Sequence, residues 1–288
     1  MPLPREARVV VRIRPGVGVD TSAMTGTENP TRTASPDYSD VDEVGELITT
    51  LLATPAHRLT ACRGWTAHEL VAHLAAGEAE EADLIEAHFA GETRPTRGFE
   101  ERELPYRARP DAELRDVLVS EAARLTVALD KLAASADAGS VLFTGREMTA
   151  ADFAMHSRSE CSLHRWDLVG RDDVGWEMLS QPSLTRHALS VLSAMSTLPE
   201  TPANRLKGRA GPDVELIIRS APDDDLVVTI TNGSISLALQ PIRDVAPDVE
   251  LDAAARLLLL WGRREPGAPV DVHAAGPAAE VLGTLFGW

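Results

Sequence analysis

Apolar positions along the chain follow two rhythms. Up to about residue 198 they recur at intervals of three and four, the period of an amphipathic helix. After Pro212 they alternate, the period of a half-buried strand. The first helix is expected from Val41 to Leu52, with Val41, Val44, Leu47, Ile48 and Leu51 on one face. A connection carrying Pro55 and Gly64 leads to a second helix from Thr66 to Ala90. Thr66 followed three residues on by Glu69 has the spacing of a capping box, and Gly91 follows the end. Pro95, Gly98, Pro105 and Pro110 mark Thr93 to Pro110 as a loop. A third helix is expected over Asp111 to Ala136, with Leu114, Leu118, Leu125, Leu129 and Leu132 in phase. A fourth opens at Thr149, where Asp152 repeats the capping spacing, and closes at Gly170. Pro182 to Met195 reads as a fifth.

Beyond the break at Leu198 to Pro212, strand-like runs begin at Val214, Leu226 and Ser234. The second and third are separated by Asn232-Gly233, a strong hairpin signal. Leu251 to Trp261 is expected to be helical, Val270 to Val272 a strand and Ala278 to Phe286 a last helix. The expected architecture is therefore two domains. Residues 39–198 form an all-α bundle with an added fifth helix, and residues 199–288 a small α+β domain. Residues 1–38, rich in Thr, Ser, Pro, Asp and Gly around an Arg-bearing start, read as a disordered tail, and Met24 is an alternative start. There is no internal repeat.

Composition narrows the function classes. A formal net charge of −16 disfavours phosphate backbones and anionic membrane surfaces, so neither nucleic acid nor membrane is an expected partner. No window of roughly 18 apolar residues exists to span a bilayer. Two cysteines, Cys62 and Cys161, are too few for a disulfide framework and fit a reducing cytoplasm. Walker and nucleophile-elbow motifs are absent.

The candidate chemistry lies on the second and fourth helices. Glu160 and His164, four residues apart, share one face of the fourth helix with Phe153, His156 and Asp167. His73 sits among Leu70, Leu74 and Gly77, on the expected inward face of the second. Imidazole and carboxylate ligands suit zinc, and three protein ligands leave a fourth position open, as in catalytic sites. A hydrogen-bonded core histidine and an ordinary Glu-x-x-x-His helix pair are the plainer readings of the same residues.

The segments Gly64-Trp65-Thr66-Ala67-His68-Glu69-Leu70-Val71-Ala72-His73-Leu74 and Glu160-Cys161-Ser162-Leu163-His164-Arg165-Trp166-Asp167 resemble two signatures of the mycothiol-dependent maleylpyruvate isomerase-like family. Leu257 to Arg264 resembles a third, in that family's C-terminal domain. The resemblance runs from about Ser39 to Trp288. It implies a DinB-like four-helix bundle followed by an α+β domain, and a divalent metal, expected to be Zn²⁺, on His73, Glu160 and His164. Mycothiol is the implied thiol cosubstrate, and a maleyl-type compound or other small electrophile its partner. In the isomerase the thiolate adds to a cis double bond, and rotation and elimination give the trans isomer. Related members are expected to transfer mycothiol to electrophiles.

Arg263 has two readings. It pairs with a helix C-terminus, or, as the resemblance implies, it reaches the anionic thiol or substrate as a binding and catalytic group. His156 reads as lining the pocket, with a supporting partner and an alternative ligand as other roles. Asp167 either holds a ligand histidine or pairs with Arg165 or Arg171, the structural role being preferred. Cys161, Trp65 and Trp166 read as packing residues. A non-catalytic metal-binding or regulatory protein on the same scaffold is the alternative, but the His-x-x-x-Cys-x-x-Cys run of zinc anti-sigma factors is absent.

Overall fold

The computed structural model describes residues 42–135, 139–194, 202–206, 211–232, 234–263 and 270–286. The expected tail, 1–38, lies outside them. The described chain divides into two compact units, Asp40–Leu179 and one beginning at Ser180.

In the first unit the helices are α1 (Glu43–Ala53), α2 (Ala67–Phe89), α3 (Phe99–Arg107), α4 (Asp111–Ala134), α5 (Ala150–Val169) and α6 (Asp173–Leu179). A hairpin of β1 (Val141–Phe143) and β2 (Arg146–Met148) precedes α5. Both capping boxes form. The Thr66 and Thr149 side chains accept from the amides of Glu69 and Asp152, whose carboxylates accept the N-cap amides in return. Such a cap is worth about 0.5–2 kcal/mol, and it sets the rotational phase of the two helices that carry the candidate ligands.

Helix α2 packs on α4 and α3, and α1 on α5. One core joins Leu47, Leu51, Leu70, Val71, Leu74, Leu114, Leu118, Cys161 and Leu168. A second joins Ile85, Leu125, Leu132, Phe143, Met148 and Phe153. Helices α2 and α5 also bury polar side chains, among them Glu80, Glu81, His164 and Asp167.

Two expectations are corrected here. The stretch Thr93 to Pro110, expected as a loop, contains α3. Pro105 lies inside that helix, where the ring removes a backbone donor. Tertiary contacts hold the helix regardless. The His68 ring bridges the Arg107 carbonyl and Asp111, and the buried Glu103 anchors to α2. The second concerns α7 (Pro182–Ala194), expected as a fifth helix of the bundle. It belongs to the other unit, packing on its sheet and on α9 (Ala253–Leu260).

That unit also holds α8 (Pro202–Arg205), a five-stranded sheet and α10 (Pro277–Phe286). The strands are β3 (Val214–Arg219), β4 (Asp225–Thr231), β5 (Ser234–Gln240), β6 (Val249–Glu250) and β7 (Asp271–Val272), in the order β5-β4-β3-β6-β7. Only the β3–β6 pairing is parallel. The expected hairpin is present. Thr231 pairs with Ser234, and Asn232 adopts φ 51°, the left-handed backbone that a two-residue turn requires. Among the described residues no helix is long and apolar enough to cross a membrane.

Candidate metal centre

His73, on α2, and Glu160 and His164, on α5, converge as the spacing suggests. Glu160 Oε2 lies 3.5 Å from His73 Nε2 and 3.2 Å from His164 Nε2. One ligand atom from each of the three falls within 4.8 Å of the others. Bonds of roughly 2.0–2.1 Å at tetrahedral angles would place neighbouring donors about 3.3 Å apart, so the spacing suits a single small ion.

The far side of each imidazole is also specified. His73 Nδ1 lies 2.7 Å from Glu103 Oε1, and His164 Nδ1 lies 2.9 Å from Asp167 Oδ2. An ionised carboxylate can only accept, so each Nδ1 carries a proton, and each Nε2 presents its lone pair to the centre when the ring is neutral. Carboxylate–histidine pairs of this kind fix the tautomer and ring orientation of metal-bound histidines. Glu103 is itself held by Arg107, and Asp167 accepts a hydrogen bond from the Cys62 thiol at 3.1 Å. The His73 ring is further positioned by Trp65, at 5.1 Å between centroids, and by Phe99 at 6.0 Å.

The electrostatics also favour a cation. Burial pushes the Glu160 carboxyl up, but hydrogen bonds from His164 and His73 outweigh it and hold the group well below the usual range. Burial pushes His164 down, but Asp167, Cys62 and Glu160 together hold it well above its ordinary value. Positive charge is therefore stabilised at this point whether a proton or a metal ion supplies it. Metal binding would displace the proton. The side chains of His164, His73 and Glu160 are 7%, 13% and 24% exposed, so the three ligand groups are largely withdrawn from water.

A domain model described as mycothiol maleylpyruvate isomerase N-terminal domain matches residues 40–169, and all three converging ligands fall inside the match. Residues 40–169 belong to that family. No curated protein matches the chain by sequence. Two solved structures are similar to it, a mycothiol-dependent maleylpyruvate isomerase and a point mutant of one. Each is 18% identical with a TM-score of 0.54, and the likeness covers 81% of this chain and 90% of theirs. At that identity the likeness establishes a shared fold, mostly helical first and sheet-containing after.

Within the family domain the other candidates separate. His156 does not join the three converging residues. Its Nε2 is 3.6 Å from Glu81 Oε1, and its ring meets Phe143 at 5.6 Å. Asp167 holds the histidine, which corrects the preferred structural reading, because Arg165 pairs with Asp172 instead. Cys161 is a buried core thiol, and burial pushes its pKa well up. Trp166 is buried and Trp65 packs on the same core. Arg263 lies in the other unit, just past α9. Its amide closes the helix on the Leu258 carbonyl, and its guanidinium is 3.4 Å from the Trp261 carbonyl, at the helix end as the plainer reading has it.

Sequence reading missed Glu103, because its helix was hidden behind Pro105. The usable signal was Gly98 followed by Phe99, Glu100 and Glu101, an acidic helix start. Replacing Glu103 by Gln is expected to weaken metal binding toward the lower end of the roughly 10–100-fold cost of a lost supporting partner, since the amide oxygen still accepts. Competition with a chelator measures it, and an unchanged affinity would remove Glu103 from the centre.

Proposed function

We propose that the protein is a metal-dependent, mycothiol-dependent enzyme. On this reading it catalyses thiol-dependent cis–trans isomerisation of a maleyl-type substrate, or transfers the thiol to a small electrophile. The single observation that carries the reading is the convergence of His73 and His164 on Glu160, with each imidazole backed by a carboxylate, inside a domain of a mycothiol-linked family. The scaffold is read as a DinB-like four-helix bundle acting in the cytoplasm.

Each residue has a stated part. His73 and His164 offer neutral Nε2 lone pairs, and Glu160 supplies the negative charge between them. Glu103 and Asp167 keep both rings in that tautomer. A divalent ion held there, with Zn²⁺ best suited to two imidazoles and a carboxylate, would supply the Lewis acidity that lets a coordinating thiol lose its proton at neutral pH. Arg263 is retained as the candidate cation for the anionic thiol or substrate. A regulatory metal-binding protein would share the ligands, but a set of three protein ligands leaves a coordination position free, which favours a site that exchanges a ligand.

Zinc-loaded protein supplied with mycothiol is expected to isomerise maleylpyruvate or to conjugate at least one member of an electrophile panel. Product formation is followed by chromatography. Failure with every substrate, in protein that holds its metal, would favour the regulatory reading.

A further inference from the structure

Polar anchors, more than apolar burial, hold α3 in place. Isolated helices shorter than roughly 12–15 residues are marginal in water, and α3 has nine. No side chain caps its start, and Pro105 removes one of its few internal amide donors. Phe99 and Leu104 are 42% and 63% exposed, and the two buried side chains, Arg102 and Glu103, are both charged. Tyr106 rests partly on the first core.

The anchors sit at both ends and in the middle. Before the helix, Arg97 donates its amide to Glu80 Oε1 at 2.7 Å and pairs with Asp83 at 3.0 Å, both on α2. After it, the His68 ring, also on α2, meets the Arg107 carbonyl at 3.1 Å and Asp111 at 3.3 Å. The middle anchor is Glu103, whose Oε1 meets His73 Nδ1 and whose other oxygen accepts from Arg107. Phe99 stacks on the same imidazole. The two ends are therefore fastened to residues that are not ligands, and the middle is fastened to one that is.

We propose that α3 is a strap coupled to the metal: filling the centre locks its middle on His73, and emptying the centre lets that middle open while both ends stay tied. With a divalent ion on Nε2, the His73 ring becomes the stronger donor at Nδ1, and the Glu103 carboxylate is drawn to the added positive charge. Linkage is reciprocal, so whatever holds α3 closed also raises metal affinity. The strap also supplies the way in. The three ligand groups are largely withdrawn from water, and Phe99 and Glu103 flank His73 on its ring face and at its Nδ1 edge. Opening the middle of α3 removes both and uncovers His73, so an ion enters and leaves through that movement. The inference rests on the metal reading of the centre and adds its gate.

Hydrogen exchange read by mass spectrometry tests the coupling, on full-length protein at one pH, loaded with Zn²⁺ or stripped by a chelator, with metal content measured on the same samples. The amides of Arg102 to Ala108 are expected to exchange at least tenfold more slowly in the loaded protein, while those of α4 change little. Glu103→Ala should leave these amides fast in both states and should release Zn²⁺ to a chelator at least tenfold faster than wild type. Glu103→Gln serves if Glu103→Ala does not fold, with a smaller change in the same direction. Equal exchange in loaded and stripped wild type, when the loaded sample does hold metal, overturns the strap and leaves the metal centre standing. Equal slowing across the whole unit overturns it too, because the ion would then stabilise the domain in general. A Glu103 variant that responds to metal as wild type does is a third contrary result. Wild type that holds no Zn²⁺ refutes the centre itself, and the strap with it.

Discussion

His164→Ala protein is expected to lose nearly all of its metal, whereas wild type carries close to one equivalent of Zn²⁺ or a similar ion per chain. Losing a supporting partner of a metal ligand costs about 10–100-fold in affinity, and losing the ligand should exceed that. The substitution also leaves Asp167 without its imidazole, although the Cys62 thiol still donates to it. His164 and Trp65 both touch His73, so the aromatic packing should loosen only on one side. Metal content by mass spectrometry after reconstitution decides the matter. Wild type that stays near zero, or a variant that stays full, would end the assignment of this centre.

The second large effect concerns protons. A thiol that binds as thiolate must release its proton, so mycothiol binding to metal-loaded protein should liberate close to one proton per site near neutral pH. Calorimetry in buffers of different ionisation enthalpy reads that number directly. Protein stripped of metal should show little binding and little release. His164 complicates the metal step but not this one. Its raised pKa means that loading the metal itself expels a proton, present below the raised value and lost above it, before any thiol arrives. Arg263→Ala should weaken thiol binding at least tenfold with metal content unchanged, as expected for losing a charge-assisted contact of about 1.5–3 kcal/mol. Equal thiol binding with and without metal would dismiss thiol activation. A missing Arg263 effect alone would dismiss only that residue's part in thiol binding.

Much of the site was legible in the sequence because its parts are local. Two capping boxes set where α2 and α5 begin, and a period of 3.6 residues then decides which side chains share a face. Glu160 and His164 must point the same way for that reason alone. The change of period after Pro212 and the Asn232-Gly233 turn likewise announced a sheet. What the sequence left open were questions of partnership. Whether Asp167 served His164 or Arg165 depended on Asp172 lying within reach of the arginine. Whether the stretch before Pro110 was loop or helix depended on Glu103 meeting His73 and Arg107 in a buried place. The position of α7 depended on which apolar surface accepted it. Local spacing is a property of the backbone. Pairing is settled only when folding removes water from charged groups and leaves each with whichever partner is near.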